Sequence, residues 1–220
     1  MKINEIFKSI SGEAAFAGLP CTFIRTYGCN LRCDYCDTLY AIEGGEYTTM
    51  TPTEIFHECE KLGTKHIVFT GGEPLIQPDA PELIDLLCNN GYRVEIETNG
   101  AVNLPNFHSK LKTQRKDLLF YTMDFKTFTS RENTKMVKEN LEFLLPKDVV
   151  KFVVGCKEDL ELMDNILDAN EVRAQVFVSP VFGDIEPADI VSFILNNNLH
   201  QCRVQLQLHK LIWNKDKRGV

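Results

Sequence analysis

The sequence has no apolar run approaching the ~20 residues that a membrane-spanning helix needs. It has no excess of positive charge: 24 Lys and Arg stand against 31 Asp and Glu, a formal net charge of −7. Such a chain repels phosphate backbones, which argues against non-specific nucleic-acid binding. It has no Gly/Ser linker, no internal repeat and no low-complexity tract. Met1-Lys2-Ile3-Asn4-Glu5 leads into no apolar stretch with a small-residue cleavage site, so a cytoplasmic chain is expected. What is present is ordinary globular composition: 220 residues, 44% hydrophobic and 25% charged. That suffices for one sizeable core, read as a single domain over residues 1–220.

The eight cysteines are unevenly placed. Cys21, Cys59, Cys88, Cys156 and Cys202 are scattered, whereas Cys29, Cys33 and Cys36 are crowded together. In a reducing compartment a tight group of this kind reads as metal-binding or catalytic.

Apolar strands alternate with amphipathic helices. Strands are predicted at Cys21–Thr26, Lys65–Thr70, Arg93–Thr98, Leu118–Met123, Val149–Val154, Ala174–Val178 and Arg203–Leu208. They are short and rich in Val, Ile and Phe, as strands covered on both faces should be. Thr51-Pro52-Thr53-Glu54 is a capping box with Pro at the first helical position, and Gly63 is a C-terminal stop. Further helices are predicted at Pro81–Asn90, Glu132–Leu145, Glu158–Leu167 and Pro187–Asn197, with Asn103–Lys116 ambiguous. The alternation implies parallel β–α units. A complete eight-unit barrel takes ~250 residues; about six units fit here, so the expected fold is α/β, a partial, open (β/α)6-type barrel with mostly parallel strands. The alternation alone is equally compatible with a doubly wound sheet. Polar sequences follow the C-terminal ends of the strands, the edge where parallel α/β folds bind ligands.

Cys29-Asn30-Leu31-Arg32-Cys33-Asp34-Tyr35-Cys36 is a C-x3-C-x2-C loop. Structural zinc takes four ligands, and no fourth Cys or His lies nearby; catalytic zinc takes three, though seldom three Cys. An iron–sulfur cubane takes four Cys, and with three it leaves one iron open.

C-x3-C-x2-C after the first predicted strand, with Tyr35 before the last Cys, resembles the radical S-adenosylmethionine (SAM) enzymes. Gly71-Gly72-Glu73-Pro74 after the next strand fits that resemblance. It implies a 4Fe–4S cluster on Cys29, Cys33 and Cys36, with SAM on the open iron and cleaved to a 5′-deoxyadenosyl radical. It further implies SAM contacts from Tyr35, Asp37, Gly72, Glu73, Glu97, Asn99, Asp124, Lys126 and Ser179. Asn99-Gly100 is also an ordinary turn sequence. Ser9-Ile10-Ser11-Gly12-Glu13, Gly18-Leu19-Pro20, Phe23-Ile24-Arg25, Cys36-Asp37-Thr38 and the segment Gln205 to Trp213 are similar to the 7-carboxy-7-deazaguanine synthase family. That resemblance implies contraction of 6-carboxy-5,6,7,8-tetrahydropterin, with Mg²⁺ assisting, in 7-deazapurine and queuosine biosynthesis. Ile10, Ser11, Gly12 and Glu13 would hold the pterin's aminopyrimidine edge, and Arg25 the substrate carboxylate. Thr38 would bind Mg²⁺, Thr70 would touch substrate, and His209 would face the pocket from the last strand. A homodimer reduced by a flavodoxin or ferredoxin is also implied. Two departures stand out: the family commonly has Gln and Gly where this chain has Ser11 and Ala14, and many members carry Ser-Pro-Lys where it has Asp124-Phe125-Lys126. The competing readings are an activase that installs a glycyl radical on a partner protein, and a non-catalytic zinc-binding module.

Overall fold

The computed structural model describes residues 1–214 and 217–220. Among them, nine strands form one open sheet in the order β3-β1-β2-β4-β5-β6-β7-β8-β9. These are β1 (Lys2–Ile10), β2 (Pro20–Thr26), β3 (Thr48–Thr49), β4 (His66–Gly71), β5 (Arg93–Thr98), β6 (Leu119–Phe125), β7 (Val149–Val154), β8 (Gln175–Pro180) and β9 (Cys202–Val204). From β2 to β9 every pairing is parallel. β1 runs antiparallel to β2, and the short β3 runs antiparallel to β1. The six expected units are present, extended by an antiparallel pair at one edge and a three-residue strand at the other. No described helix is long and apolar enough to cross a membrane.

The helices are α1 (Pro52–Leu62), α2 (Ala80–Asn89), α3 (Leu104–His108), α4 (Glu139–Phe143), α5 (Lys157–Ala169), α6 (Pro187–Asn196) and α7 (Leu208–Ile212). α1 starts where its capping box predicts. The Thr51 hydroxyl accepts from the Glu54 N–H and the Glu54 carboxylate accepts from the Thr51 N–H. It stops at Gly63, whose φ of 72° suits glycine.

One side of the sheet packs against the helices. Ile67, Phe69, Val94, Ile96, Tyr121, Met123, Val150, Phe152, Val176 and Val178 join residues such as Ile55, Leu83, Leu87, Leu160 and Ile190 in the main core. The residues between them on the same strands face inward: His66, Glu95, Thr122, Asp124 and Lys151. The strands are covered on both faces as expected, but the inner face mixes these polar and charged side chains with Val68, Val149, Val153 and Phe177.

Two elements differ from their prediction. Glu132–Leu145 is not one helix. It holds a 3-10 turn at Asn133–Lys135, an extended Met136 and only then α4. Long-range bonds outweigh the helical pattern here: the Glu132 carboxylate accepts from the Arg32 N–H, the Met136 sulfur from the Lys126 N–H, and the Gly100 carbonyl from the Val137 N–H. The strand predicted at Arg203–Leu208 ends at Val204. Beyond it the chain leaves the sheet to bond the loop at residues 11–14, through Gln205 to the Ala14 backbone and the Leu208 N–H to the Gly12 carbonyl, and then turns into α7.

Candidate active site

The inner face opens at the C-terminal ends of the parallel strands into a cavity of about 1120 Å³. Cys29, Cys33 and Cys36 line it, with Tyr35, Asp37, Thr38, Gly72, Glu97, Asn99, Asp124 and Lys126. Ile10, Gly12, Glu13, Arg25, Thr70 and His209 line it too. Residues expected from nearly the whole length of the chain thus share one space. Three expected residues are not on its wall. Ser11 is fully buried, with its hydroxyl on the Glu13 carbonyl. Ser179 is fully buried behind the wall. Glu73 is turned inward: its carboxylate accepts from the Leu75 N–H at 3.0 Å, the Thr98 hydroxyl at 2.9 Å and the Asn99 N–H at 2.7 Å. Glu73, expected to contact SAM, lies buried beside the cavity, where these bonds fix the end of β5. Burial pushes its carboxyl up to about 7, although three hydrogen bonds pull the other way.

The cysteine loop is held from both sides. The Gly28 N–H donates to the Ala41 carbonyl, and the Gly28 carbonyl accepts from the Glu73 N–H at 2.9 Å. A Cβ on Gly72 would lie 2.2 Å from the Gly28 oxygen and 3.0 Å from the Cys29 Cβ, so only glycine lets the end of β4 approach this loop. Leu31 is buried beneath it, and Glu132 and the Ser130 carbonyl hold the Arg32 and Asp34 amides. The Cys29 sulfur accepts from the Leu31 N–H at 3.4 Å and the Asn99 amide at 3.5 Å. All three cysteines are free. Burial raises the Cys29 thiol and takes Cys33 to about 11, so a metal must displace protons to bind them.

These residues fit an iron–sulfur cluster with SAM beside it. Three soft thiols enter one cavity, and thiolates suit iron–sulfur centres. The buried Tyr35 hydroxyl, on the same wall, has no hydrogen-bond partner among the described residues and is left for a ligand. Among the described residues no three His, Cys, Asp or Glu side chains are gathered to hold a single metal ion, as the zinc-module reading requires.

Below the cysteines lies a network of buried charge. Lys151, in the middle of β7, forms an ion pair with Glu13 and another with Asp124 at 3.1 Å. The second oxygen of Asp124 holds Lys126 at 2.8 Å, and the second oxygen of Glu13 accepts from Gln207. Burial alone would raise the Asp124 carboxyl, but Lys126 and Lys151 lower it to about 2. Glu97 is pushed up to about 7 by burial first and by Glu95 second. The Arg25 Nε–H donates to Glu5 at 2.7 Å, and the Tyr40 hydroxyl donates to the same oxygen. That leaves the outer edge of the guanidinium for a ligand. His209 reaches the cavity from α7, not from a strand as expected; a Cβ on Gly12 would come within 2.5 Å of its Nδ1, which is why the loop carries glycine there. Burial lowers the His209 pKa. Sequence reasoning gave no role to Lys151, Gln207 or Glu5. Gln207 lies in the segment that carries the resemblance, and a lysine inside Val-Val-Lys-Phe-Val-Val is a visible signal as well.

The radical SAM superfamily model matches residues 23–167. The chain is 44% identical to a 7-carboxy-7-deazaguanine synthase from Clostridium acetobutylicum, over 100% of this chain and 99% of that one. It is 34% identical to a synthase of the same name from Koribacter versatilis, with both chains fully covered. The chain belongs to the 7-carboxy-7-deazaguanine synthase family of radical SAM enzymes. The crystal structure of QueE from Escherichia coli superposes with a TM-score of 0.74 at 25% identity, covering 94% of each chain. Membership of the radical SAM superfamily implies a 4Fe–4S cluster and SAM, and neither the zinc module nor the glycyl-radical activase is favoured.

Proposed function

We propose that the protein is a lyase that contracts 6-carboxy-5,6,7,8-tetrahydropterin to 7-carboxy-7-deazaguanine with loss of ammonia. What carries this is full-length identity to the synthases, combined with three free thiols opening into a cavity that also holds Glu13, Arg25 and His209. Cys29, Cys33 and Cys36 hold the 4Fe–4S cluster, and Tyr35, Asp37, Gly72, Glu97, Asn99, Asp124 and Lys126 form the SAM side. When bound, the cluster and SAM together supply hydrogen-atom abstraction by a 5′-deoxyadenosyl radical. The chain's own residues bind and orient. The Glu13 carboxylate faces the N–H and NH₂ donors of the aminopyrimidine, a charge-assisted pair. The free edge of Arg25 takes the substrate carboxylate as a planar fork. Thr70 and His209 line the same cavity.

Thr38 places a hydroxyl on the cavity wall 3.7 Å from the Cys36 sulfur, where it serves Mg²⁺, a hard cation that takes oxygen ligands. A cytoplasmic homodimer reduced by a flavodoxin or ferredoxin, feeding 7-deazapurine or queuosine biosynthesis, completes the reading on resemblance.

The test is anaerobic reconstitution with iron and sulfide, then incubation with reductant, SAM, Mg²⁺ and 6-carboxytetrahydropterin, read by mass spectrometry. Appearance of 7-carboxy-7-deazaguanine is expected. Formation of 5′-deoxyadenosine without it would overturn the pterin assignment while keeping the radical chemistry. Thr38→Ala is expected to lose Mg²⁺ dependence and keep SAM cleavage; an unchanged Mg²⁺ response removes that role.

A further inference from the structure

Lys151 is the least expected residue of the inner face. Its strand is otherwise apolar, and its side chain is buried with it. Taking an ammonium out of water costs several kcal/mol, and a buried ion pair replaced by apolar residues of similar volume often leaves a fold as stable or more so. Stability alone therefore gives little reason for lysine at this position.

Its partners supply one. The Lys151 ammonium pairs with Glu13 from the loop after β1 and with Asp124 from the neighbouring strand, with which Lys151 is in direct register. Each carboxylate spends its other oxygen on a different group, Gln207 for Glu13 and Lys126 for Asp124. Lys151 thus joins two halves of the cavity. One half holds Glu13 and Gln207. The other holds Asp124 and Lys126, whose ammonium lies 5.7 Å from the Tyr35 ring on the cysteine loop. Without Lys151, both carboxylates keep their burial and lose a counter-charge, so each is free to swing toward water or toward its remaining partner.

We propose that Lys151 is a positioning residue that fixes Glu13 for the substrate and Asp124–Lys126 for the cofactor at once, so that the two ligands bind in register. The assignment of the two halves rests on the function proposed above. Linkage makes the effect reciprocal: what SAM gains from bound pterin, pterin gains from bound SAM.

The experiment compares wild type, Lys151→Met and Lys151→Arg. Circular dichroism and thermal melting are measured first, then 6-carboxytetrahydropterin binding to the cluster-free protein by equilibrium dialysis. SAM binding to the reconstituted protein follows, with and without the pterin. Lys151→Met leaves Glu13 and Asp124 without their shared counter-charge and is expected to melt below the wild-type temperature while still folding, to bind pterin at least tenfold more weakly and SAM several-fold more weakly, and to lose any increase in SAM affinity that pterin gives. Lys151→Arg keeps the charge and is expected to recover most of the SAM affinity. Wild-type affinities for both ligands in a folded Lys151→Met protein would overturn the proposal. So would a loss confined to pterin, which would leave the cofactor half independent of Lys151. Failure of both variants to fold would assign the ammonium to support of the sheet and overturn it equally. If wild type binds SAM but no pterin, the functional reading fails, while the effect of Lys151 on SAM is still measured.

Discussion

Along β7, Val150, Phe152 and Val154 pack under the helices, while Val149, Lys151 and Val153 point the other way. β5 repeats the division, with Val94 and Ile96 outward and Glu95 and Glu97 inward. β6 does so with Tyr121 and Met123 against Thr122 and Asp124. Residues 3.2–3.4 Å apart along a strand thus belong to regions held by different forces. The outer face is close-packed and apolar, and its energy lies in area and fit. The inner face is a ladder of paired charges and hydrogen bonds. It starts at Phe16, whose ring lies against His66 and Phe120 at the closed end, rises through the His66–Glu95–Thr122 bonds, and ends in the cavity. A sheet of this kind separates stability from chemistry by the parity of residue number.

That separation is breakable by mutation. The largest effect on chemistry is expected from Cys33→Ala, at the mouth of the cavity. Bound iron and 5′-deoxyadenosine formation should fall to background, while the cluster-free protein keeps its unfolding free energy to within about 1 kcal/mol, because the loop side chain is only half-buried. SAM cleavage at the wild-type rate would show that the three thiols do not hold the cluster. The largest effect on stability is expected from Phe152→Ala on the opposite face. Phe152 is fully buried, its ring 5.4 Å from that of Phe125, and the cavity left behind should cost about 3–5 kcal/mol in denaturant unfolding. Turnover per folded molecule should stay near wild type. A parallel loss of turnover would mean that the faces are coupled through the sheet.

Parity also explains what was legible beforehand. Strand positions came from the outer-face apolar residues, which recur locally, and Arg93–Thr98 and Val149–Val154 match their predicted bounds. The cysteine loop and the Gly-Gly-Glu-Pro turn were readable because their spacing is local as well. Glu73 was seen as a site residue, yet its direction depended on amides at residues 75 and 99. The joint between Glu13 and Lys151 spans 138 residues, and the bond from Gln205 to Ala14 spans 191. No local pattern encodes such pairs. Non-local bonds also broke up the helix predicted at Glu132–Leu145, through Arg32–Glu132 and Val137–Gly100, and the Gln205–Ala14 bond shortened the last strand. β1 went unread because its Lys2–Ile10 pattern is mixed and only partly buried, as an antiparallel strand near a sheet edge tolerates.

A subtler test uses pH. Glu97 titrates near 7 in the folded protein, against 4.5 as its ordinary value, because burial and Glu95 disfavour its charge. Between those values the folded chain keeps a proton that the unfolded chain has released, so this group's contribution to stability declines as pH rises through the window and is level above it. Gln at position 97 does not titrate. The stability of Glu97→Gln relative to wild type should therefore increase from pH 5 to pH 8, by on the order of 1–3 kcal/mol, in urea unfolding of the cluster-free proteins. An equal difference at both pH values would mean that Glu97 is solvated like a surface carboxylate, and the inner face would lose its claim to be a dry, charged interior.

The smallest effect is expected at Ala14, where the two kinds of region meet. Its backbone is left-handed, with φ at 56°, a conformation that costs a residue with a Cβ roughly 1–2 kcal/mol. Its methyl is nevertheless buried against Val149 and Phe177, a small apolar cluster on the inner face. Ala14→Gly would relieve the strain, lose about 0.8 kcal/mol of methyl burial and add about 0.5–1 kcal/mol of chain entropy to the unfolded state. These nearly cancel, so a change below about 1 kcal/mol in unfolding free energy is expected. The bonds from Gln205 involve only the Ala14 backbone and should survive. A loss well beyond that range would show that packing at this methyl dominates, and that the inner face draws on the same apolar fit as the outer one. A gain beyond it would mean that the alanine is held in place by the loop against its own backbone preference, with strain stored beside Glu13.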